Sequence, residues 1–419
     1  MSAHMPAGCP VGHPGMRPES ARKGPCAQMR VAIVGGSIGG LTTALVLGEL
    51  GHDVHVYEHA PAVLKGRGAG IVLQPDTVRW FESKSRASVE QVSTSASRLR
   101  YIGADGSIVH EEPGRYRFTS WNTIYRPLLD DLGLSRYHLG EHFVGLTQDA
   151  DGVDLRFVNG RLERAELAVF ADGISSTGRR RLLPDVRPEY AGYLGWRGTV
   201  DERCVSPATL ALLVDSLAYT VIEHSHVNLY VIPGANGELA PGQRRINYVW
   251  YRNLPAGPEL DELLTDKRGI PCPVSMGPGQ VQDRYVAQLR ADARALLPAP
   301  IAELVEETVH PFTQTVLDIT VPRMAFGRVC LVGDAAFAAR PHAAAGTAKA
   351  AADAWALADA LARTGGDVPA ALRAWEPQQL RVGADLVARV QQMGRRSQVD
   401  GDWVPGDPSL RFGLYGPGR

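Results

Sequence analysis

Short apolar runs alternate with turn-forming residues at the start of the folded chain. Residues 30–34 (RVAIV) form such a run, which is typical of a strand buried on both faces of a parallel sheet. A glycine cluster follows, and the apolar positions from Leu41 to Leu50 then repeat with helical spacing up to Gly51. Residues 53–57 (DVHVY) alternate as a second strand. The pattern predicts a βαβ unit of about 30 residues.

The middle of the chain is rich in predicted strands. Apolar alternation, with turn residues such as Asp105-Gly106 and Asp151-Gly152 between the runs, predicts strands at 98–110, 153–158, 166–171, 217–223, 226–232 and 245–251. We interpret the later ones as a mixed or antiparallel sheet in a second domain. Residues 328–333 return to the buried-strand pattern, and helices are predicted over 346–363 and 371–393.

Nucleotide-type segments near both ends of the folded chain predict one α/β domain assembled from separated pieces, with the β-rich part inserted. The expected boundaries are 29–75, 105–185 and 310–365 for the nucleotide-binding domain, 76–104 and 186–309 for a substrate domain, and 366–419 for a C-terminal helix and tail. Residues 1–28 are rich in Pro, Gly, Ser and Ala, and we expect a disordered arm there.

Composition and charge restrict the classes of function. The 419 residues carry 44 basic and 45 acidic side chains, so the net charge of −1 gives no support to a nucleic-acid or anionic-membrane surface. The sequence contains no run of about 18 apolar residues that would span a membrane. Five scattered cysteines form no disulfide framework, and Cys9, His13 and Cys26 match no common zinc spacing. We therefore expect a cytoplasmic protein without a metal.

The first motif that carries chemistry is the glycine turn 35–40 (GGSIGG) between a strand and a helix. Such a turn lets backbone N–H groups and a helix N-terminus face a pyrophosphate. Gly35 permits the tight turn, Gly40 permits close packing, and Ser37 is small enough for phosphate to approach. Glu58 ends the next strand, where a carboxylate accepts hydrogen bonds from ribose hydroxyls. This predicts FAD or NAD rather than NADP, and a glycine-rich turn without a nucleotide is the alternative.

Two further motifs follow predicted strands. Asp172-Gly173 precedes a helix expected to begin near Ser175, where a carboxylate could contact a nucleotide, although Asp-Gly pairs are also common turns. Asp334 ends the strand 328–333, and the small residues 343–347 would let the backbone approach a flat ring. An alanine-rich packing helix after a turn is the alternative for the third motif.

The three motifs, in this order and spacing, resemble those of the FAD-dependent aromatic hydroxylases, the group A flavoprotein monooxygenases. Longer segments look closer to the branch that acts on dihydroxypyridines: 68–75 (GAGIVLQP), 190–193 (YAGY), 196–198 (WRG), 261–266 (DELLTD) and 340–346 (RPHAAAG). The resemblance extends from about Met29 to the C-terminus. It implies a fold of the p-hydroxybenzoate hydroxylase type, with a Rossmann-like FAD-binding domain, an inserted β-rich substrate domain and C-terminal helices.

The resemblance implies one tightly bound FAD, with NADH or NADPH as a transient reductant that docks without its own Rossmann domain. The implied FAD contacts are Gly35, Gly36, Ser37, Ile38, Gly40, Glu58, His59, Arg67, Ile71, Arg126, Asp172, Asp334, Ala344, Gly346 and Thr347. Three residues depart from the family pattern. Phe170 and Ala344 stand where glycine is usual, and Phe337 replaces a frequent histidine.

The implied activity is hydroxylation of an electron-rich aromatic or heteroaromatic small molecule, pyridinediol-like, by O2 through a flavin C4a-hydroperoxide. An FAD-dependent oxidase or dehydrogenase is the alternative. A hydroxylated ring reacts faster as its anion, so a base beside the ring oxygen helps. His342 is the candidate base because the family places its loop beside the flavin. A histidine bonded only to backbone is the alternative reading, and a homodimer is a further implication of the resemblance.

Aromatic and imidazole side chains in the β-rich part and in the loop before 346–363, together with one proline of that loop, are candidates for substrate binding. They are Trp196, His226, Tyr230, Tyr248, Pro341 and His342. Ordinary core packing is the alternative for the aromatic members of this set.

Overall fold

A computed structural model describes residues 28–64 and 70–419. The expected arm 1–28, apart from Gln28, lies outside the described residues. So do Cys9, His13 and Cys26, and the predicted cofactor ligand Arg67.

The described residues form strands β1 to β18 and helices α1 to α10. The strands are β1 Arg30–Val34, β2 Asp53–Glu58, β3 Gly70–Val72, β4 Thr94–Ile102, β5 Ile108–Ser120, β6 Tyr137–Leu139, β7 Phe143–Gln148, β8 Val153–Phe157, β9 Leu162–Ala165, β10 Leu167–Phe170, β11 Glu189–Asp201, β12 Ser216–Ile222, β13 Ser225–Ile232, β14 Arg245–Asn253, β15 Ser275–Met276, β16 Phe312–Asp318, β17 Ala325–Phe326 and β18 Val329–Leu331. The helices are α1 Ile38–Gly48, α2 Pro75–Ser83, α3 Trp121–Leu132, α4 Thr177–Leu182, α5 Pro207–Leu213, α6 Pro258–Leu263, α7 Asp283–Leu296, α8 Ala299–Glu307, α9 Gly346–Arg363 and α10 Val368–Arg395.

A six-stranded sheet in the order β17-β18-β10-β1-β2-β6 forms the nucleotide-type domain. Strand β1 pairs in parallel with both β2 and β10, and β10 pairs in parallel with β18. Since β1 is central and covered on both faces, its run RVAIV is apolar without alternation. The predicted βαβ unit is therefore confirmed as β1-α1-β2, and the carboxyl ends of β1, β10 and β18 meet at one edge.

The β-rich part is a nine-stranded mixed sheet in the order β15-β16-β11-β14-β13-β12-β4-β5-β3. One face packs against helices, as Leu194 and Trp196 of β11 share an apolar cluster with Leu289 of α7 and Leu304 of α8. The residues that alternate with them along β11, such as Arg197, point to the opposite face, because side chains of a strand alternate. That second face turns toward the nucleotide-type domain.

Two segments belong to a different sheet from the one that the expected domain boundaries imply. Strand β3 pairs with β5, and β5 pairs with β4, so all three belong to the nine-stranded sheet. The sequence-based boundaries placed 70–75 and 105–120 in the nucleotide-binding domain instead. The difference arises because these segments carry no nucleotide motif, and strand pairing between distant segments leaves little local signal.

The C-terminal helices close one side of the molecule. Helix α9 packs against α1, α2 and α10, and the chain after α10 covers an apolar cluster that includes Trp403, Leu410 and Leu414. The helices expected at 346–363 and 371–393 are confirmed as α9 and α10, the latter beginning three residues earlier. None of the described helices is both long and apolar enough to serve as a membrane span.

Candidate active site

A cavity of about 770 Å³ lies at the edge where β1, β10 and β18 end. Ligands of open α/β sheets bind at this edge, outside the carboxyl ends of the strands. The lining combines all three sequence motifs with residues of the nine-stranded sheet: Ser37, Ile38, Gly39, Gly70, Ile71, Ala171, Gly173, Arg197, Gln314, Gly333, Asp334, Gly346 and Thr347 are among them. The cavity thus joins the glycine turn to the first turn of α9.

The glycine turn has the backbone geometry that its sequence predicted. Gly35 adopts φ +106°, and a Cβ there would lie 2.4 Å from the carbonyl oxygen of Ala171. At Gly40 a Cβ would lie 1.9 Å from the Gly35 carbonyl oxygen. Ser37 is the N-cap of α1, and its side chain makes no capping hydrogen bond. Its hydroxyl therefore remains available on the cavity side, at the positive end of a helix.

Glu58 links the glycine turn to the end of β2. Its carboxylate accepts hydrogen bonds from the N–H groups of Gly36 at 2.8 Å and Ala60 at 2.9 Å. Burial raises the pKa of Glu58, but the hydrogen bonds outweigh burial and leave the pKa below its ordinary value. His59 Nδ1 lies 3.0 Å from the same carboxylate. His59 and Asp172 line a smaller cavity of about 210 Å³ beside the turn.

Asp172 lies beside the glycine turn and also stabilises the start of α4. It accepts hydrogen bonds from the Ser176 hydroxyl and, at 3.0 Å, from the Gly178 N–H, which fixes the start of α4. Helix α4 begins at Thr177 with Ser176 as its cap, close to the expected start near Ser175. The burial of Asp172 raises the pKa of its carboxyl group, and the hydrogen bonds act in the opposite direction.

Asp334 follows β18 and faces the cavity. Its carboxylate is exposed to the cavity space although protein surrounds it, and its Oδ1 would lie 4.0 Å from a Cβ placed on Gly346. Burial raises the pKa of this carboxyl group, while the positive charges of Lys349 and Arg179 oppose the shift. Acceptor oxygens of this kind, together with the N-terminus of α9, fit a ligand that carries hydroxyl groups and a polar flat ring.

Ala344 precedes α9 in a left-handed conformation with φ +50° and ψ +34°. Its carbonyl oxygen accepts a 2.7 Å hydrogen bond from Nε2 of Gln74, which anchors the loop to the start of α2. Glycine is the residue that adopts this backbone region without a steric penalty. The departure from glycine noted in the sequence therefore falls on a strained position.

The predicted cofactor residues are not all at the cavity. Ser37, Ile38, Ile71, Asp334, Gly346 and Thr347 line it. Arg126 does not: its side chain is exposed and lines a different depression with Asn122 and Asn236. An arginine on an exposed helix face has no sequence pattern that distinguishes it from one directed at a ligand, and its role stays a prediction.

The strand residues predicted to bind substrate lie on different faces of the nine-stranded sheet. Trp196 and Tyr248 lie on the helix-covered face in the apolar cluster with α7 and α8, away from the cavity. The structure therefore does not bring these two side chains to either of the cavities described above. Both faces of β11 and β14 are buried, so polar–apolar alternation did not identify the cavity side. Tyr230 is on the cavity face, where its ring stands directly behind Gly70.

Arg197 is the residue that the sequence reasoning missed, although it belongs to the quoted segment WRG. It lines the main cavity and an adjoining one of about 110 Å³, which Pro341 and Tyr251 also line. Its Nη1 donates a 2.6 Å hydrogen bond to Oε1 of Gln314, and its buried Nε has no acceptor among the described residues. A buried donor without an acceptor is costly unless a ligand or water supplies one.

His342 lies in a buried cluster beneath the cavity wall rather than at the cavity. Its Nε2 is 2.6 Å from the Tyr193 hydroxyl, and its ring packs near those of His226 and Tyr251. Burial, with the nearby charges of His226 and Arg340, holds the pKa of His342 well below its ordinary value. Burial likewise lowers the pKa of His226 to about 3. Tyr251, whose ring centroid is 4.8 Å from that of His342, lines the smaller, adjoining cavity, whereas His342 lines neither that cavity nor the main one. The role of His342 as a base stays a prediction.

The remaining departures from the family pattern are packing residues. The ring of Phe170 would lie 2.3 Å from a Cβ on Gly178, so the bulky residue is matched by a glycine on α4. Phe337 is matched in the same way by Gly383 of α10. Both rings are buried in the main apolar cluster.

Comparison with known proteins agrees with this geometry. An FAD binding domain model matches residues 28–250 and 279–390, and an FAD binding domain-like model matches 190–318. The 2,6-dihydroxypyridine 3-monooxygenase of Paenarthrobacter nicotinovorans is 40% identical over 386 residues, covering 92% of this chain and 96% of the relative. The 6-hydroxynicotinate 3-monooxygenase of Bordetella bronchiseptica is 27% identical, covering 90% and 94%.

Solved structures give the same result. The 2,6-dihydroxypyridine-3-hydroxylase of Arthrobacter nicotinovorans has a TM-score of 0.87 at 39% identity, with 92% of this chain and 97% of that chain covered. Klebsiella pneumoniae HpxO, in complex with FAD and uric acid, shares the fold with a TM-score of 0.74 at 24% identity, covering 89% and 90%. The chain belongs to the family of FAD-dependent aromatic monooxygenases. The expected fold of the p-hydroxybenzoate hydroxylase type is thereby confirmed, and so is FAD as the cofactor.

The residues present fit FAD. Ser37, with its uncapped hydroxyl, and the first residues of α1, Ile38 and Gly39, line the cavity at the positive end of the helix, as a pyrophosphate requires. Asp334 presents a carboxylate to the cavity without a hydrogen-bond partner among the described residues, as a polyhydroxyl chain requires. The described residues contain no cluster of three or more His, Cys, Asp or Glu side chains that would hold a metal.

Proposed function

We propose that the protein uses NADH or NADPH and O2 to hydroxylate an electron-rich heteroaromatic ring that already carries a hydroxyl group, of the pyridinediol kind. The two relatives named above act on 2,6-dihydroxypyridine and on 6-hydroxynicotinate, both of them hydroxylated pyridines. The observation that carries the proposal is the position of Arg197, which lines both the main cavity and the smaller cavity that adjoins it.

Arg197 is the one positively charged side chain among the described residues that line the two connected cavities. A cation with a free N–H favours the anionic form of a hydroxylated ring and binds its oxygen with a charge-assisted hydrogen bond. The ring anion is the more electron-rich form, and it reacts faster with an electrophilic oxygen. Arg197 would therefore both orient the ring and favour its reactive ionisation state.

Aromatic side chains shield this region from water. Tyr251 is 1% exposed and lines the smaller cavity, and Tyr230 is 4% exposed with its ring stacked on Phe118 at 4.3 Å between centroids. The bound FAD supplies the electron transfer and the activation of O2. The chain contributes the orientation of the ring, its charge and the exclusion of water, which limits loss of the oxidising species as peroxide.

The reductant is proposed to dock transiently at the same open edge, since the chain carries a single glycine turn of the dinucleotide type. We also propose a cytoplasmic location, where the reductant is available. The free thiols of Cys204, Cys272 and Cys330 support that proposal. The homodimer implied by the resemblance stays a prediction, and light scattering of the purified protein tests it.

The experiment that tests the function is a screen of hydroxylated pyridines and phenols with the FAD-loaded protein. Consumption of NADH, NADPH and O2 is recorded together with the mass of each product. We expect at least one hydroxypyridine to accelerate reductant consumption and to gain one oxygen atom. Stoichiometric hydrogen peroxide without an oxygenated product would contradict the proposal and favour the oxidase alternative.

A further inference from the structure

A buried ion pair lies directly behind the turn that carries Asp334. Nζ of Lys349 lies 2.7 Å from Oδ1 and 2.6 Å from Oδ2 of Asp353, four residues further along α9. The two side chains are 1% and 0% exposed. The attraction within a buried pair often fails to repay the loss of hydration, so such a pair contributes little net stability. Its presence at this place therefore calls for another explanation.

Asp353 connects the pair to the cavity. Its Oδ2 also accepts a 2.9 Å hydrogen bond from the N–H of Gly333. Gly333 adopts φ +56°, and a Cβ there would lie 3.0 Å from the Cβ of Ala350 on α9, so the turn is pressed onto the helix. The next residue is Asp334, whose carboxylate faces the cavity. Any shift of Asp353 would consequently move the backbone from which Asp334 projects.

The charge of Lys349 also reaches Asp334. Burial raises the pKa of the Asp334 carboxyl group, and Lys349 and then Arg179 are the cations that oppose this shift. Three other charged groups lie in this region. Asp353 is paired with Lys349, and Arg197 lies across the cavity. Asp172 lies close enough to Arg179 for its negative charge to raise the pKa of Arg179, against the lowering by burial. The remaining face of the ammonium lies 5.3 Å from the centroid of the Phe337 ring. Lys349 therefore has no contact with solvent.

We propose that Lys349 is a positioning residue for the cofactor. Through Asp353 it holds in place the Gly333 turn, from which Asp334 projects as an acceptor for a hydroxyl of the FAD ribityl chain. The proposal rests on FAD binding by this family and not on the identity of the aromatic substrate.

The test is the dissociation constant of FAD, measured by flavin fluorescence with the apo-protein at several pH values between about 5 and 8. In Lys349→Gln we expect FAD to bind about tenfold more weakly at neutral pH. We also expect the decline of affinity at low pH to begin at a higher pH than in wild type, because Asp334 then takes up a proton more readily. In Asp334→Asn this pH dependence should disappear. Lys267→Gln, which breaks an exposed ion pair with Asp283, is the matched control and should bind FAD like wild type.

Wild-type affinity with a wild-type pH profile in Lys349→Gln would overturn the proposal, as would a weaker affinity with an unshifted profile. A second variant guards against failure to fold, which urea unfolding detects. Lys349→Gln/Asp353→Asn keeps amide groups that hydrogen-bond to each other and to the Gly333 N–H, so we expect it to fold and to show the shifted profile. A wild-type profile in this folded double variant would also overturn the proposal. None of these measurements depends on turnover of a pyridine.

Discussion

Arg197 and Gln314 are joined by a hydrogen bond of 2.6 Å between neighbouring strands, from Nη1 of the guanidinium to Oε1 of the amide. The bond fixes one edge of the guanidinium plane. The Nε–H, on another edge, has no acceptor among the described residues. The chain therefore holds a preoriented cation with an unused donor beside the cofactor cavity.

Replacing Arg197 tests its role in substrate binding. In Arg197→Met we expect kcat/KM for the best hydroxypyridine to fall about 30-fold or more with FAD still bound, which corresponds to a loss of about 2 kcal/mol, the size of a hydrogen bond to a charged group. The measurement is steady-state product formation with the flavin content determined by absorbance. Arg245→Met, which breaks a half-exposed pair with Asp201, is the control. An Arg197→Met enzyme with wild-type kcat/KM would exclude the role.

Asp334→Ala tests the cofactor site. We expect the variant to lose most of its FAD during purification, because the acceptor facing the cavity is removed, with an affinity loss of about 1.5–3 kcal/mol. Flavin absorbance and FAD titration measure the loss. Asp385→Ala, on the exposed face of α10, should retain its FAD. Full flavin content in Asp334→Ala would count against the assigned role.

Glu58 gives a prediction on pH. Its folded pKa lies below the ordinary value, so its contribution to stability is present above that value and is lost as pH falls through the folded pKa. The difference in free energy of unfolding between wild type and Glu58→Gln should therefore shrink as pH is lowered from about 6 to about 3. Urea unfolding measures it. FAD affinity should fall by on the order of 1–3 kcal/mol in the same variant. A stability difference that does not change with pH would contradict the account.

Ala344→Gly should stabilise the protein. The left-handed backbone at this position costs an alanine about 1–2 kcal/mol, and the added freedom of glycine in the unfolded chain returns part of that. We expect the free energy of unfolding to rise by up to about 1 kcal/mol. Ala343→Gly is the control: its backbone is not left-handed, so we expect that substitution to destabilise the protein. Destabilisation by Ala344→Gly would show that its methyl group packs more favourably than the backbone strain costs.

The variant His342→Gln distinguishes two roles of His342, that of a catalytic base and that of a residue that only packs in the core. Since the folded pKa of His342 is lowered, its protonation favours the unfolded chain, and stability falls as pH drops below about 6.5. His342→Gln should remove part of this acid sensitivity in urea unfolding. Loss of product formation with FAD retained would support the predicted base, whereas an unchanged pH profile of product formation would exclude it.

The parts of the fold that local sequence determines were predicted well. The glycine turn, β1, β2, α9 and Asp334 depend on contacts between near neighbours or on backbone conformations that few residues adopt. The membership of β3 and β5 in the nine-stranded sheet depends on pairing between distant segments, which leaves no local pattern.

The candidate site shows the same limit at the level of single side chains. Trp196 and Arg197 are adjacent, and one faces the helices while the other faces the cavity. The register of β11 is shifted between Tyr190 and Leu194, and both faces of the strand are buried. Neither the apolar pattern nor a count along the strand could therefore assign the cavity face. The burial of His342 beside Tyr251 also depends on packing between distant segments.

The origin of the oxygen atom in the product tests the central claim most directly. The FAD-loaded protein is supplied with NADH or NADPH, the active hydroxypyridine and O2 enriched in the heavy isotope, and the product is analysed by mass spectrometry. We predict that the product contains one heavy oxygen atom and that its amount matches the reductant consumed. A product without the label, or reductant consumption accounted for by hydrogen peroxide alone, would contradict the assignment of this chain as a monooxygenase.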